Sequence, residues 1–165
     1  MRHLKKGAAI LAVAAVALTS LACAEDEPDP VSPPQPEVFS ATLTAAAERP
    51  DTVTSPATGT ASLNFTGTGA ITYSVQVSGL LSVPVAAHIH GPAGVEGTAD
   101  VIVGLTPISS VTTGALASGT ITATTAPTIS MDSLKVLLRN GNAYINVHTT
   151  DHAGGEIRGQ IIKQP

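Results

Sequence analysis

Tryptophan is absent from this 165-residue chain, and phenylalanine and tyrosine occur only twice each. A folded domain here must therefore be built from aliphatic side chains fitted closely together, since there are too few rings to fill an interior with large planar groups. A single cysteine excludes any disulfide within the chain, the usual reason for cysteine in an exported domain. Charge is sparse as well, with 8 Lys and Arg against 12 Asp and Glu. Beyond Glu37 the acids are Glu48, Asp51, Glu96, Asp100, Asp132, Asp151 and Glu156, and the bases are Arg49, Lys135, Arg139, Arg158 and Lys163. That near balance leaves no basic face of the kind nucleic acid requires, so no nucleic-acid partner is expected. The Gly-rich stretches Gly91-Pro92-Ala93-Gly94 and Gly154-Gly155 lack the strand-turn-helix setting and the Lys-Ser/Thr of a phosphate loop, and read as turns. There is no Gly-x-Ser-x-Gly, and a Ser/His/Asp triad would have to be picked arbitrarily from many hydroxyls.

What is present begins with a leader. Arg2, Lys5 and Lys6 precede an apolar Ala/Val-rich run from Gly7 to Leu18, and small residues follow. That order of basic, apolar and small segments is a bacterial export signal, and the apolar run is short for a permanent membrane helix. Residues 1–23 are therefore expected to be a signal peptide of the lipoprotein type. Cys23, in Leu18-Thr19-Ser20-Leu21-Ala22-Cys23, resembles the acylated cysteine of a lipobox, although Ser20 stands where Leu is usual. Ala22-Cys23-Ala24 offers ordinary signal peptidase an alternative small-x-small site, which would release the protein instead. The chain is thus expected outside the cytoplasm, either held to the envelope through Cys23 or secreted. Residues 24–37 are rich in proline and acid with almost nothing apolar, which predicts a disordered tether ahead of a domain at 38–165.

In that domain Val, Ile and Thr dominate, and Gly, Pro, Ser and Asn punctuate them. Strands are predicted at Val38 to Ala45, Gly59 to Phe65, Ala70 to Ser78, Val85 to His90, Val101 to Leu105, Gly114 to Ala123, Ala143 to Thr149 and Glu156 to Ile162. One short helix is predicted over Ser130 to Arg139, where Leu134, Leu137 and Leu138 recur at helical spacing, Ser130 can cap the start and Asn140-Gly141 can end it. Such a series is all-β, a Greek-key β-sandwich or barrel with one short helix.

Histidine is the main chemical signal. His3 falls in the leader, and the other four lie in Ala87-His88-Ile89-His90-Gly91 and Val147-His148-Thr149-Thr150-Asp151-His152. Alternation along a strand puts His88 and His90 on one face and Ala87 and Ile89 on the other. By the same rule Tyr144, Asn146 and His148 share a face opposite Ile145 and Val147. If the two strands are neighbours, three imidazoles converge on the outer side of the domain. Neutral imidazoles are good ligands for copper or zinc, and Asp151 or His152 could add another. Two duller readings stand beside this one: His88 and His90 could simply brace the Gly91-Pro92 turn through backbone carbonyls, and His152 could be a solvated loop residue. In Glu156-Ile157-Arg158-Gly159-Gln160 the polar residues also alternate with apolar ones. Glu156 and Arg158 could form a cross-strand ion pair, or could orient an imidazole.

Ala86-Ala87-His88-Ile89-His90-Gly91-Pro92-Ala93-Gly94, Tyr144-Ile145-Asn146-Val147-His148-Thr149 and Gly154-Gly155-Glu156-Ile157-Arg158-Gly159-Gln160-Ile161 together resemble the CHRD domain, widespread in bacterial exported proteins. The likeness extends from about Phe39 to Ile162. It implies a β domain acting as a binding or structural module. Growth-factor antagonism does not carry over, because the cysteine-rich modules that accompany the domain in chordin are missing. More distantly, the H-x-H strand and later histidine are similar to copper-zinc superoxide dismutase, a Greek-key barrel. That likeness implies copper ligation by His88, His90 and His148, and an oxidoreductase as the alternative function. The dismutase's dense zinc loop and its disulfide have no counterpart in this sequence, nor is any arginine assignable to steering superoxide.

Overall fold

The computed structural model describes residues 36–106, 108–125 and 128–165. The expected signal segment at 1–23, with Cys23, and nearly all of the tether at 24–37 lie outside the described residues.

Nine strands form one antiparallel sheet: β1 (Val38–Thr44), β2 (Thr58–Phe65), β3 (Ile71–Ser78), β4 (Pro84–His90), β5 (Val101–Gly104), β6 (Gly114–Ile121), β7 (Tyr144–Thr149), β8 (Ile157–Gln160) and β9 (Ile162–Lys163). Their order is β5-β4-β7-β8-β1-β2-β3-β6, with β9 paired to β1. The sheet curls until its two edges nearly meet. Beyond β5 the chain reaches Ile108, which bridges Ala117 of β6, and the Ser109 N–H donates to the Leu116 carbonyl at 2.7 Å. The fold is all-β as expected, and of the sandwich or barrel anticipated a nearly closed barrel is what forms.

Period-2 alternation decides what the barrel encloses. Phe39, Ala41 and Leu43 point inward from β1, Ala61 and Leu63 from β2, Ile71, Val75 and Val77 from β3, Ala87 and Ile89 from β4, and Ile145 and Val147 from β7. Burying each large member contributes roughly 1.5–3 kcal/mol. Phe39 and Phe65 meet with ring centroids 4.7 Å apart, so half of the chain's few aromatics sit together at one end. That end is closed by α1 (Met131–Arg139), which buries Leu134 and Leu138. Ser130 Oγ accepts from the Ser133 N–H at 3.1 Å as the expected N-cap. Past the C-cap Asn140, Gly141 adopts φ +65°, so the chain can reverse where a side chain would be strained.

The last predicted strand, Glu156 to Ile162, is divided. β8 pairs along β7, whereas β9 turns to pair with β1. Gly159 lies where β8 crosses close to β1, and a Cβ there would run into the Thr42 carbonyl oxygen. The crossing needs a residue without a side chain.

Candidate metal centre

β4 and β7 are neighbours, with Ala86 opposite His148, His88 opposite Asn146, and His90 opposite Tyr144. Because opposed residues share a face, the outward side chains of the two strands form one patch, and β8 extends it with Arg158 opposite Asn146 and Gln160 opposite Tyr144. Three imidazoles come together there. One nitrogen from each of His88, His90 and His148 lies within 4.8 Å of the others.

Backbone carbonyls determine the tautomers. The Ala153 carbonyl lies 3.0 Å from His148 Nδ1, and the Ala99 carbonyl lies 2.9 Å from His90 Nδ1. A carbonyl only accepts, so both Nδ1 atoms carry the proton and both Nε2 atoms present a lone pair. His148 Nε2 faces His88 Nδ1 at 3.2 Å, which makes His88 Nδ1 the donor of that bond. His90 Nε2 is buried and has no hydrogen-bond partner among the described residues. An orphaned imidazole lone pair beside two further ring nitrogens is a donor set in want of an acceptor.

Electrostatics favour the ligating form. Burial, then the proximity of His148 and His90, pushes His88 down to about 4. Burial also lowers His90 and His148 below the ordinary histidine value. All three rings are therefore neutral at pH 7, as metal ligation requires. With metal–nitrogen bonds of about 2.0–2.1 Å, tetrahedral ligand nitrogens sit roughly 3.3–3.4 Å apart. The His88–His148 pair, at 3.2 Å, already has that spacing, and His90 has to close by at most roughly 1.5 Å. The three imidazoles could together hold a metal ion.

A family model for the CHRD domain matches residues 39–161. The chain belongs to the CHRD domain family. No curated protein and no solved structure matches it. CHRD domains are typically extracellular, and no described helix is long and apolar enough to cross a membrane.

The rest of this CHRD face departs from simple expectation. Asp151 and His152 do not join the three imidazoles. They follow β7 in a loop beside a separate hollow, whose lining includes Glu48, Asp51 and Gly155. Asp151 is exposed, its N–H donating to Ser82 Oγ at 3.0 Å, and the His152 carbonyl accepts from the Thr149 and Gly155 N–H groups. Glu156 and Arg158 take separate partners rather than pairing with each other. Glu156 turns into the end of the barrel remote from α1 and accepts from Ser55 Oγ, the Leu81 N–H and Thr149 Oγ1, each at 2.8 Å. Strict alternation would have left it on the outer face; Gly155, at φ +132°, resets the direction of the chain just before it. Arg158 is buried on the outer face, its guanidinium 3.6 Å from the centre of the Tyr144 ring.

Sequence reasoning missed Glu48, which is 2% exposed. It follows a single 3-10 turn (Ala45–Ala47) and accepts from Asn146 Nδ2 at 3.3 Å. Burial raises it to about 7, against the opposing pull of Arg158 and the Asn146 bond. One carboxylate after a run of alanines carries no signal of burial, because the cover comes from segments distant in sequence.

Proposed function

We propose that this protein is an extracytoplasmic CHRD module that holds copper or zinc through His88 Nδ1, His90 Nε2 and His148 Nε2. The supporting observation is the pair of unprotonated Nε2 atoms, each presented because a backbone carbonyl occupies the opposite side of its ring. For His88 to ligate, the proton must leave Nδ1 while Nε2 takes one up, so that the ring stays neutral. Binding thus replaces the hydrogen bond between His88 and His148. The export signal, and acylation of Cys23 where lipoprotein processing prevails, would place the module at the envelope with a protein or envelope partner.

The test is thermal unfolding of the purified chain with and without Zn(II) or Cu(II). Ligand in hundredfold excess over its Kd stabilises by about 2.7 kcal/mol. The melting temperature should rise with metal in the parent protein and stay put in a His88→Ala/His148→Ala variant; an equal response in both would refute the site. The copper-loaded protein should bind without turning over superoxide. Turnover would convert the module into the dismutase-like oxidoreductase. Labelled fatty acid incorporated into the parent but not into Cys23→Ala would establish the anchor.

A further inference from the structure

His90 has the most constrained setting of the three imidazoles. Its ring lies parallel to Tyr144, 2° between planes and 4.9 Å between centroids. Tyr144 is on the central strand of the three, with β4 bringing His90 from one side and β8 bringing Arg158 from the other. The column therefore runs from guanidinium to phenol to imidazole across three strands.

The same guanidinium also holds a loop. Arg158 Nη2 donates to the carbonyls of Gly94 at 3.1 Å, Val95 at 3.4 Å and Gly97 at 2.7 Å, all in the connection between β4 and β5. Two residues further on, the Ala99 carbonyl receives the His90 Nδ1 proton. The Ala99 N–H donates to the Tyr144 hydroxyl at 3.3 Å, so Ala99 is tied to the column as well as to the loop. Other fastenings flank the clamp: the Tyr144 hydroxyl donates to the Ala99 carbonyl at 3.4 Å, the Gly91 N–H to the Asp100 carbonyl at 3.3 Å and the Ala93 N–H to the Asn142 carbonyl at 3.0 Å. Gln160 Nε2 donates to the Ala93 carbonyl at 2.8 Å, and Arg49 meets Glu96 in an exposed ion pair of small worth. Burying a guanidinium is costly unless its surroundings compensate it; here the loop carbonyls and the Tyr144 face compensate it in part, while Nη1 is buried with no hydrogen-bond partner among the described residues.

Building on the metal reading above, we propose that Arg158 is the positioning residue of the site: by clamping residues 94–97 and backing Tyr144, it holds the Ala99 carbonyl against His90 Nδ1 and so delivers the His90 Nε2 lone pair. Without the clamp, the loop that carries the carbonyl loosens to its remaining bonds, and His90 samples the tautomer whose Nε2 carries the proton and cannot ligate. His148 is held by Ala153 in a different loop and does not depend on Arg158.

The experiment compares the parent chain with Arg158→Met, which keeps much of the apolar stem but donates nothing. Long-range nitrogen–proton correlation spectra of the metal-free proteins at pH 7.5 read the tautomer of each imidazole; that pH is a choice of roughly one unit above the ordinary histidine pKa. The parent should show His90 with its proton on Nδ1. Arg158→Met should show mixed tautomers at His90, with His148 unchanged as the internal control. Affinity for Zn(II), measured by competition with a chelating dye, should fall roughly 10- to 100-fold. A folded Arg158→Met with an unchanged His90 tautomer overturns the proposal. If that variant does not fold, Arg158→Gln decides: its uncharged amide ends two bonds short of Nη2 and withdraws from the three carbonyls, so a fully parental His90 spectrum refutes the clamp. Should the parent bind no zinc, the metal reading fails, while the tautomer spectra still judge Arg158 by themselves.

Discussion

Replacing Glu48 by glutamine isolates one buried charge. The carboxyl group receives one long hydrogen bond from Asn146, and its Oε1 has no partner among the described residues. Burial raises its pKa from 4.5 to about 7. At 1.36 kcal/mol per unit, that difference corresponds to about 3 kcal/mol. The sign follows from proton counting. Below pH 4.5 the group is protonated in both folded and unfolded chains and has no effect. Between 4.5 and about 7 only the folded chain keeps the proton, so stability drains away as pH rises, and above 7 the full cost is present. Glutamine resembles the protonated form and keeps an acceptor for Asn146 Nδ2. Glu48→Gln should therefore match the parent near pH 4 and exceed it by up to about 3 kcal/mol at pH 8, a shift on the order of 10 °C in melting temperature. Urea unfolding at several pH values in the absence of metal is the assay. The histidines titrate in both proteins, so the difference between the two curves reports Glu48 alone. Parallel curves from pH 4 to 8 would refute the reasoning.

Other outcomes follow from the same geometry. With the opposing Glu48 contribution removed, metal-free Glu48→Gln should lose stability as pH falls below 6.5, because unfolded imidazoles take up protons there while His88 in the fold resists until about 4; adding His88→Gln should flatten that fall in a urea series. Gly155→Ala should destabilise by about 2–4 kcal/mol, since φ is +132° and its Cβ would lie 2.5 Å from the Asn146 side-chain amide and 2.8 Å from Glu48 Oε2; a variant as stable as the parent in calorimetry would contradict the packing. Leu138→Ala, at a fully buried position under α1, should cost about 2–5 kcal/mol in denaturant unfolding.

Seven of the eight predicted strands match observed ones to within two residues at either end, and Ser130 caps the helix as its sequence suggests. These features are local: alternation, cap and turn are written in residues a few positions apart. The break between β8 and β9 was not legible, because it depends on a second strand approaching at Gly159. At the candidate site, His88, His90 and His148 were legible as outward-facing, and Asp151 and His152 were grouped with them only because they are near in sequence. A loop of seven residues, 150–156, can carry side chains away from a strand face, and this one places Asp151 and His152 beside a separate hollow.

The sequence alone determined the strands, the helix and the face each histidine takes, since each depends on the two- or four-residue periodicity of neighbouring side chains. Only the tertiary structure decided that β4 lies beside β7 in a register bringing His148 within 3.2 Å of His88. It also decided that Ala99 and Ala153 assign the tautomers, that Arg158 and Glu48 are covered, and that Glu156 points into the barrel. Tautomer, burial and pKa are properties of what lies against a side chain, and here those neighbours come from as far as 101 residues away in the chain.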